Sequence, residues 1–280
     1  VPVIIVLFSA YFTAVYFVNL SAGKRLDSFA SEINKYVVFE YGHTSINPFK
    51  VNLVISDIVL KQDELNQVKV RQAVIRKIDT KSQIPSCLDV AFNDIDIINN
   101  EKSFKTLISE VMGFGDGLRI DLRLSYGYKE SSKEFELKTL EISSKNAGKV
   151  SLSFQLSGIV IDSSLPGRIF SEENPVFLNN AEIRFIDDSV TDRGFKLIAD
   201  TIDMETADFK ALLNMQIDYV VKSANLKLSD ASLSKLKGFI KEPDKITVTA
   251  IPPQPVPLSM LSDNYNKPFR IANILNIDFK

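Results

Sequence analysis

Apolar residues recur at every second position through most of this chain. In 118–128, LRIDLRLSYGY, Leu118, Ile120, Leu122, Leu124, Tyr126 and Tyr128 fall on one face. Arg119, Asp121, Arg123 and Ser125 fall on the other. A period of two with one polar face predicts a strand of a sheet that is wet on one side. KESSK (129–133) is a polar turn, so FELKTLEI (135–142) completes a hairpin. KVSLSFQLSGIVID (149–162) predicts a further strand with Val150, Leu152, Phe154 and Leu156 inward. Upstream, YVVFEY (36–41), VNLVISDIVLK (51–61), QVKVRQAVIRKI (67–78) and CLDVAFNDIDII (87–98) follow the same rule. Gly42 and Pro48 mark 42–49 as a turn. Twice the alternation slips. Leu53 and Ile55 give way to Ile58 and Leu60 across Ser56-Asp57, and Val90 and Phe92 give way to Ile95 and Ile97 past Asn93. Such slips mark bulges, which help a sheet to curve.

Helical spacing replaces this alternation in a few places. FKTLISEVMGF (104–114) has Leu107, Ile108 and Val111 on one stripe and ends in glycine. AEIRFIDDS (181–189) is a strand running into an acidic turn, and helices are predicted over 189–202, 207–226 and 229–243. Leu212, Leu213, Ile217, Val220 and Val221 form the stripe of the second. Ser229 and Asp230 are capping candidates for the third, which closes at Pro243. KITVTAI (245–251) returns to a strand. PPQPVPLSML (252–261) predicts a rigid proline-rich turn, and IANILNIDF (271–279) a short helix running into a strand.

The first 20 residues, VPVIIVLFSAYFTAVYFVNL, carry no charge. A helix of about 20 residues spans roughly 30 Å, the thickness of a bilayer core. A membrane anchor is therefore expected over 1–22. Ser21-Ala22-Gly23 would suit a signal peptidase, but the apolar run exceeds the length of a usual signal core. Leu26, Phe29 and Ile33 predict a juxtamembrane amphipathic helix over 23–35. Lys24 and Arg25, followed at once by Asp27 and Glu32, set no firm orientation. The expected fold class is α+β, mainly β. An N-terminal transmembrane helix precedes an antiparallel β-rich domain over 36–280, with a helical insertion near 189–241.

Composition narrows the function. Lys and Arg number 33 against 35 Asp and Glu, so there is no electrostatic footprint for nucleic acid. Cys87 is the single cysteine and His43 the single histidine, which rules out an intramolecular disulfide and a usual zinc site. Cys87 opens an apolar strand and reads as a buried, inert thiol. GFGDG (113–117) precedes a strand instead of a helix and reads as a turn, not a phosphate loop. Asp187, Asp188 and Asp192 with Arg193 are the best acidic cluster. They could hold a divalent cation, but aspartates at a helix start more commonly cap it. No catalytic residue, metal site or cofactor is expected, and the chain does not read as an enzyme.

Two segments carry a resemblance. VFEYGHTSINPFKVNLVISDIVLK (38–61) is similar to the start of AsmA-like envelope proteins, in which an INPF turn leads to an L-x-I-x-D-I-x-L strand. RFIDDSVTDRGFKLIA (184–199), FIKEPDKITVTAIPPQPVPLSML (239–261) and ILNIDF (274–279) resemble the C-terminal half of uncharacterised bacterial periplasmic proteins. The first resemblance implies a single-pass protein of the bacterial inner membrane with its main domain in the periplasm and a lipid-facing role. It transfers no functional residue, and this chain is short and carries an insertion foreign to a plain strand repeat. From the strands themselves, the expected lipid groove is lined by Leu118, Ile120, Leu122, Leu124, Val150, Leu152, Phe154 and Leu156. The expected partner is membrane lipid, with other inner-membrane or envelope proteins as possible contacts. The alternative is a scaffold or accessory subunit of an inner-membrane complex.

Overall fold

The computed structural model describes residues 38–47, 52–61, 66–79, 85–99, 102–114, 118–161, 165 and 169–280. The expected anchor (1–22) and juxtamembrane helix (23–35) lie outside these residues. Among the described residues no helix is long and apolar enough to cross a membrane.

The first half runs β1 (Val38–Glu40), β2 (His43–Asn47), β3 (Asn52–Lys61), β4 (Asn66–Ile78), β5 (Cys87–Asn99) and β6 (Lys102–Ser103). Helix α1 (Phe104–Met112) then leads to β7 (Ile120–Lys129), β8 (Glu134–Ser144), β9 (Gly148–Ser157) and β10 (Phe177–Asp187). Three helices follow: α2 (Val190–Thr201), α3 (Thr206–Ser223) and α4 (Asp230–Lys241). The chain continues with β11 (Lys245–Ala250), β12 (Val256–Pro257), α5 (Leu258–Asp263), α6 (Pro268–Ile274) and β13 (Ile277–Phe279).

The described strands form one sheet with the path β1-β3-β4-β5-β7-β8-β9-β10-β11-β13, every ladder antiparallel. Successive strands are neighbours almost throughout, because short turns join antiparallel partners. The mainly β, antiparallel fold with a helical insertion over 189–241 is therefore present.

Three local expectations need correction. His43–Asn47 is a strand and not part of a turn. β1 and β2 lie along the same edge of β3, with Val38 opposite Lys61 and His43 opposite Ser56. Tyr41 and Gly42 make the break, the Gly42 N–H donating to the Ser56 carbonyl at 2.9 Å. β9 stops at Ser157 instead of running to 162. Gly158 takes φ 77°, and a Cβ there would lie 2.7 Å from the Pro175 carbonyl oxygen. Within 252–261 the proline run is a turn only as far as Pro255; Val256–Pro257 pairs with β10 and Leu258 starts a helix.

The two slips in alternation are real and belong to one feature. Ile55 and Ile58 on β3 are buried together with Val70 and Ala73 on β4, and Phe92 and Ile95 of β5 pack against them. Each strand spends two residues between its inward positions at the same level of the sheet. Asp57 and Asp94 take φ 56° there, a left-handed turn of the backbone that Asp tolerates. Because β3 and β4 slip together, their register is unbroken from Leu53↔Ile75 to Lys61↔Gln67. The ladder shifts only against β7, between Phe92 and Ile95, where the Asp94 N–H donates to Asp121 Oδ1 at 2.7 Å. The Ser56-Asp57 slip is thus not a bulge against β4, whereas the Asn93 slip is one against β7.

A second core lies at the other end. Leu156, Ile159, Val176, Leu178, Ala250, Val256 and Leu275 are buried there, with Leu258, Leu261, Ile271 and Ile274 of α5 and α6 packed on them. The C-terminal helices thereby close one stretch of the sheet's apolar face.

Candidate functional site

Two turns align the central strands. After β7 the chain reverses through Lys133 (φ 53°), whose N–H donates to the Glu130 carbonyl at 3.2 Å. After β8 it reverses through Asn146 (φ 71°) and Gly148 (φ 141°). A Cβ on Gly148 would lie 2.5 Å from the Ile186 carbonyl oxygen, so the close approach of β10 requires glycine there.

The resulting registers carry apolar rows across the sheet, since directly paired residues share a face. One row runs Ile55, Ala73, Phe92, Leu122, Ile142, Val150, Phe185, Ile246. The next runs Leu53, Ile75, Val90, Leu124, Leu140, Leu152, Ile183, Val248, Phe279. A bulge at Lys138-Thr139 in β8 and another at Asn179 in β10 keep the inward positions in phase farther down. The opposite face is polar over β5 to β10. Arg76 and Arg123 both reach Asp89, at 3.3 and 3.2 Å, and Lys149 pairs with Glu141 at 3.3 Å. The Arg119–Arg123 stripe is part of this wet face.

The apolar face is covered unevenly. Phe239 of α4 meets Phe185 edge-on at 5.8 Å, and the second core shuts the rows below. Between these covers Ile142, Val150 and Ile183 are 52, 43 and 47 % exposed. Ile142 and Val150 are direct partners, and Ile183 pairs with Leu152 one row down. They leave an open apolar strip along the middle of the sheet.

The eight groove residues expected from sequence divide accordingly. Ile120, Leu122 and Leu124 on β7 and Val150 and Leu152 on β9 share the apolar face, with β8 between the two sets. Leu156 is buried in the second core, Phe154 packs against that core, and Leu118 is buried ahead of β7. These three belong to packing and not to an open surface. Sequence reasoning passed over Leu140, Ile142 and Ile183. The first two were signalled by the hairpin, since a strand paired to 118–128 must put its own apolar set on the same face.

Other candidates fall into structural roles. Asp187 Oδ1 accepts from the Thr191 N–H at 2.8 Å and from its hydroxyl at 2.7 Å, capping the start of α2. Asp192 pairs with Lys210 at 2.6 Å, and Asp188 is exposed. Among the described residues no group of three His, Cys, Asp or Glu side chains stands close enough to share a metal ion. His43 is exposed on β2, 4.0 Å from Asp57. Cys87 is half-buried, not fully buried as expected. It borders a cavity of about 480 Å³ with Lys77, Lys129, Lys138, Glu134 and Glu136 on its walls. Beside it, burial pushes the Tyr126 phenol up, with a smaller push from Cys87, and the Tyr126 hydroxyl donates to the Pro85 carbonyl at 3.1 Å.

A second cavity, of about 370 Å³, lies between α3, α4, α6 and β13. The apolar stripe read in 207–226 supplies Leu213, Ile217, Val220 and Val221 to its walls, but the facing walls come from segments 226–240 and 269–279, brought to that stripe only by folding.

A family model described as "Uncharacterized protein" matches residues 141–280, half of the chain. The chain belongs to that family. No curated protein and no solved structure matches it. The family's segment opens inside β8 and takes in β9 to β13 and all helices from α2 to α6. The residues that resemble AsmA-like proteins, 38–61, lie outside it. The second resemblance, over 184–199, 239–261 and 274–279, lies within it.

Proposed function

We propose that this chain is a non-catalytic, membrane-anchored protein of the bacterial envelope that binds lipid or supports its transport. The anchor is the uncharged run at residues 1–22, and the lipid's hydrocarbon lies on the open strip around Ile142, Val150 and Ile183. The observation that carries the reading is the uneven cover of the sheet's apolar face. Monomeric proteins seldom leave contiguous apolar surface open without using it. Here three β-branched side chains in adjoining register positions stand open between two covered regions. The half-buried Leu122, Leu124, Leu140 and Leu152 extend that surface along the strands.

The test is native mass spectrometry with lipid extraction on the full chain. Phospholipid at a defined stoichiometry is expected. It should be lost in the double variant Ile142→Glu, Val150→Lys, whose opposite charges sit on paired, exposed positions and leave the fold intact. A ligand-free wild-type protein, or a double variant that keeps its lipid, sinks the reading. A co-purified membrane protein in place of lipid would favour the scaffold alternative.

A further inference from the structure

The cavity between α3, α4, α6 and β13 is walled by hydrocarbon. Ile217 and Val220 face it from α3, Leu236 from α4, Ala272 from α6 and Phe279 from β13. Among the described residues lining it, Gln216 alone is polar. Gln216 and Phe269 are exposed, so the cavity reaches solvent beside them. Water needs two to four polar partners to settle in such a space, and these walls do not supply them. The walls therefore select an apolar guest. A cavity of roughly 150 Å³ lined by Leu, Ile and Phe holds benzene. By proportion, about 370 Å³ accommodates on the order of a dozen aliphatic carbons.

The border of the cavity carries both signs, but its acids are engaged: Asp218, after the lining residue Ile217, pairs with Lys237 at 2.6 Å, and Asp278, between Ile277 and Phe279, accepts from the Ser232 hydroxyl. Lys227 stands between the lining residues Leu226 and Leu228, and Arg270 follows the lining residue Phe269; both are exposed. Stretches 219–228 and 264–277 carry Lys222, Lys227, Lys267 and Arg270 and no acid. We infer that this cavity takes one unbranched acyl chain of about a dozen carbons, with an anionic head group held outside by Lys227 and Arg270. This is a single-chain fatty-acid site on the helical side of the molecule. It stands apart from the open strip, although Phe279 ends the same register row that contains Ile183.

The test is calorimetric titration of the full chain with dodecanoate, decanoate and 1-dodecanol, each below its micelle concentration. Saturable one-to-one binding of dodecanoate is expected. Decanoate should bind about fifteenfold more weakly, two methylenes being lost from an apolar site. Ala272→Trp fills the cavity and should abolish binding; Val220→Phe fills it from α3 should the first variant not fold. Lys227→Glu with Arg270→Glu should weaken dodecanoate about fivefold and leave dodecanol unchanged. Absence of saturable binding, equal affinity for the two acids, or undiminished binding in the filled-cavity variants overturns the inference. The strip variant Ile142→Glu, Val150→Lys should keep dodecanoate binding. If it loses binding while Ala272→Trp retains it, the chain lies on the strip, and this inference fails while the earlier reading survives.

Discussion

Arg193 joins two helices through a handful of atoms. Its Nη1 donates to the carbonyls of Met112 at 3.0 Å and Gly113 at 2.5 Å, and the guanidinium lies 4.4 Å from the Phe114 ring centroid. Met112 ends α1, so a cation meets carbonyls that have no partner within the helix and the negative end of its dipole. Arg193→Ala should cost about 2 kcal/mol and lower the melting temperature by roughly 2–4 °C per kcal/mol. Arg193→Lys should recover little, because an ammonium lacks the planar fork. Circular dichroism melts of the three proteins check this. Gly148 is as constrained as Arg193 is connected. With φ 141° and a neighbouring carbonyl oxygen 2.5 Å from where a Cβ would stand, Gly148→Ala should cost about 1–3 kcal/mol in strain. The same urea or thermal series reads it. Tyr126 gives a pH signature. Its phenol is raised by burial and then by Cys87, so the folded state favours the protonated form. That contribution is fully present below the unfolded phenol's value, about 10, and is lost as pH rises through the higher folded value. In an alkaline titration followed by tyrosinate absorbance, Tyr126→Phe should remove a late-ionising step.

At the scale of elements, helix starts behave as their side chains dictate. Ser229 accepts the Ser232 N–H at 3.1 Å, and Ser232 itself is buried with its hydroxyl on Asp278 of β13. The cap of α4 therefore also pins the helix to the last strand. Ser229→Ala should cost about 1 kcal/mol, and Ser232→Ala more, since it strips a hydrogen bond to a carboxylate; chemical denaturation midpoints of the two variants test the order. The capping serine was legible because a helix announces its first turn locally. The strands were legible too, from period two and from the slips at Ser56-Asp57 and Asn93. β2 was not, since Gly42 and Pro48 bracket it and their turn chemistry outweighs the short alternation of Thr44 and Ile46. β12 was hidden for a related reason: two residues after a proline run pair with β10 only because Val256 is buried beside Leu178. The open strip was half legible. Leu122, Leu124, Val150 and Leu152 show their face by alternation, but which part of that face stays open depends on where α4, α5 and α6 come to rest. The cavity was legible on one wall only, in the stripe of Leu213, Ile217, Val220 and Val221; Phe279 and the other walls meet that stripe only in the fold.

The described strands run as a meander with a core near each end. Ile55, Ile58, Val70 and Ala73 make one; Leu156, Leu178, Ala250 and Val256, with the C-terminal helices, make the other. Strand order was recoverable from consecutive hairpins, and even the long insertion leaves β11 beside β10, Ala181 opposite Ala250. The family's segment begins at residue 141, within β8, yet the second core needs residues upstream of that point. Tyr128 and Phe135 pack against it, and Phe135 lies 6.0 Å from Phe154 and 5.6 Å from Tyr126 between ring centroids. A boundary drawn after β8 would bare the whole edge of β9 and the rings beneath it, a template for intermolecular pairing. A fragment spanning 118–280 keeps the β7–β8–β9 hairpins and should unfold in one cooperative urea transition. A fragment spanning 145–280 should bind a hydrophobic dye and aggregate. Within the full chain, Phe135→Ala should cost about 3–5 kcal/mol. Equal cooperativity in the two fragments would mean that the family's segment is self-sufficient without β8, and that the rings it shares with β7 and β8 pack without holding the core together.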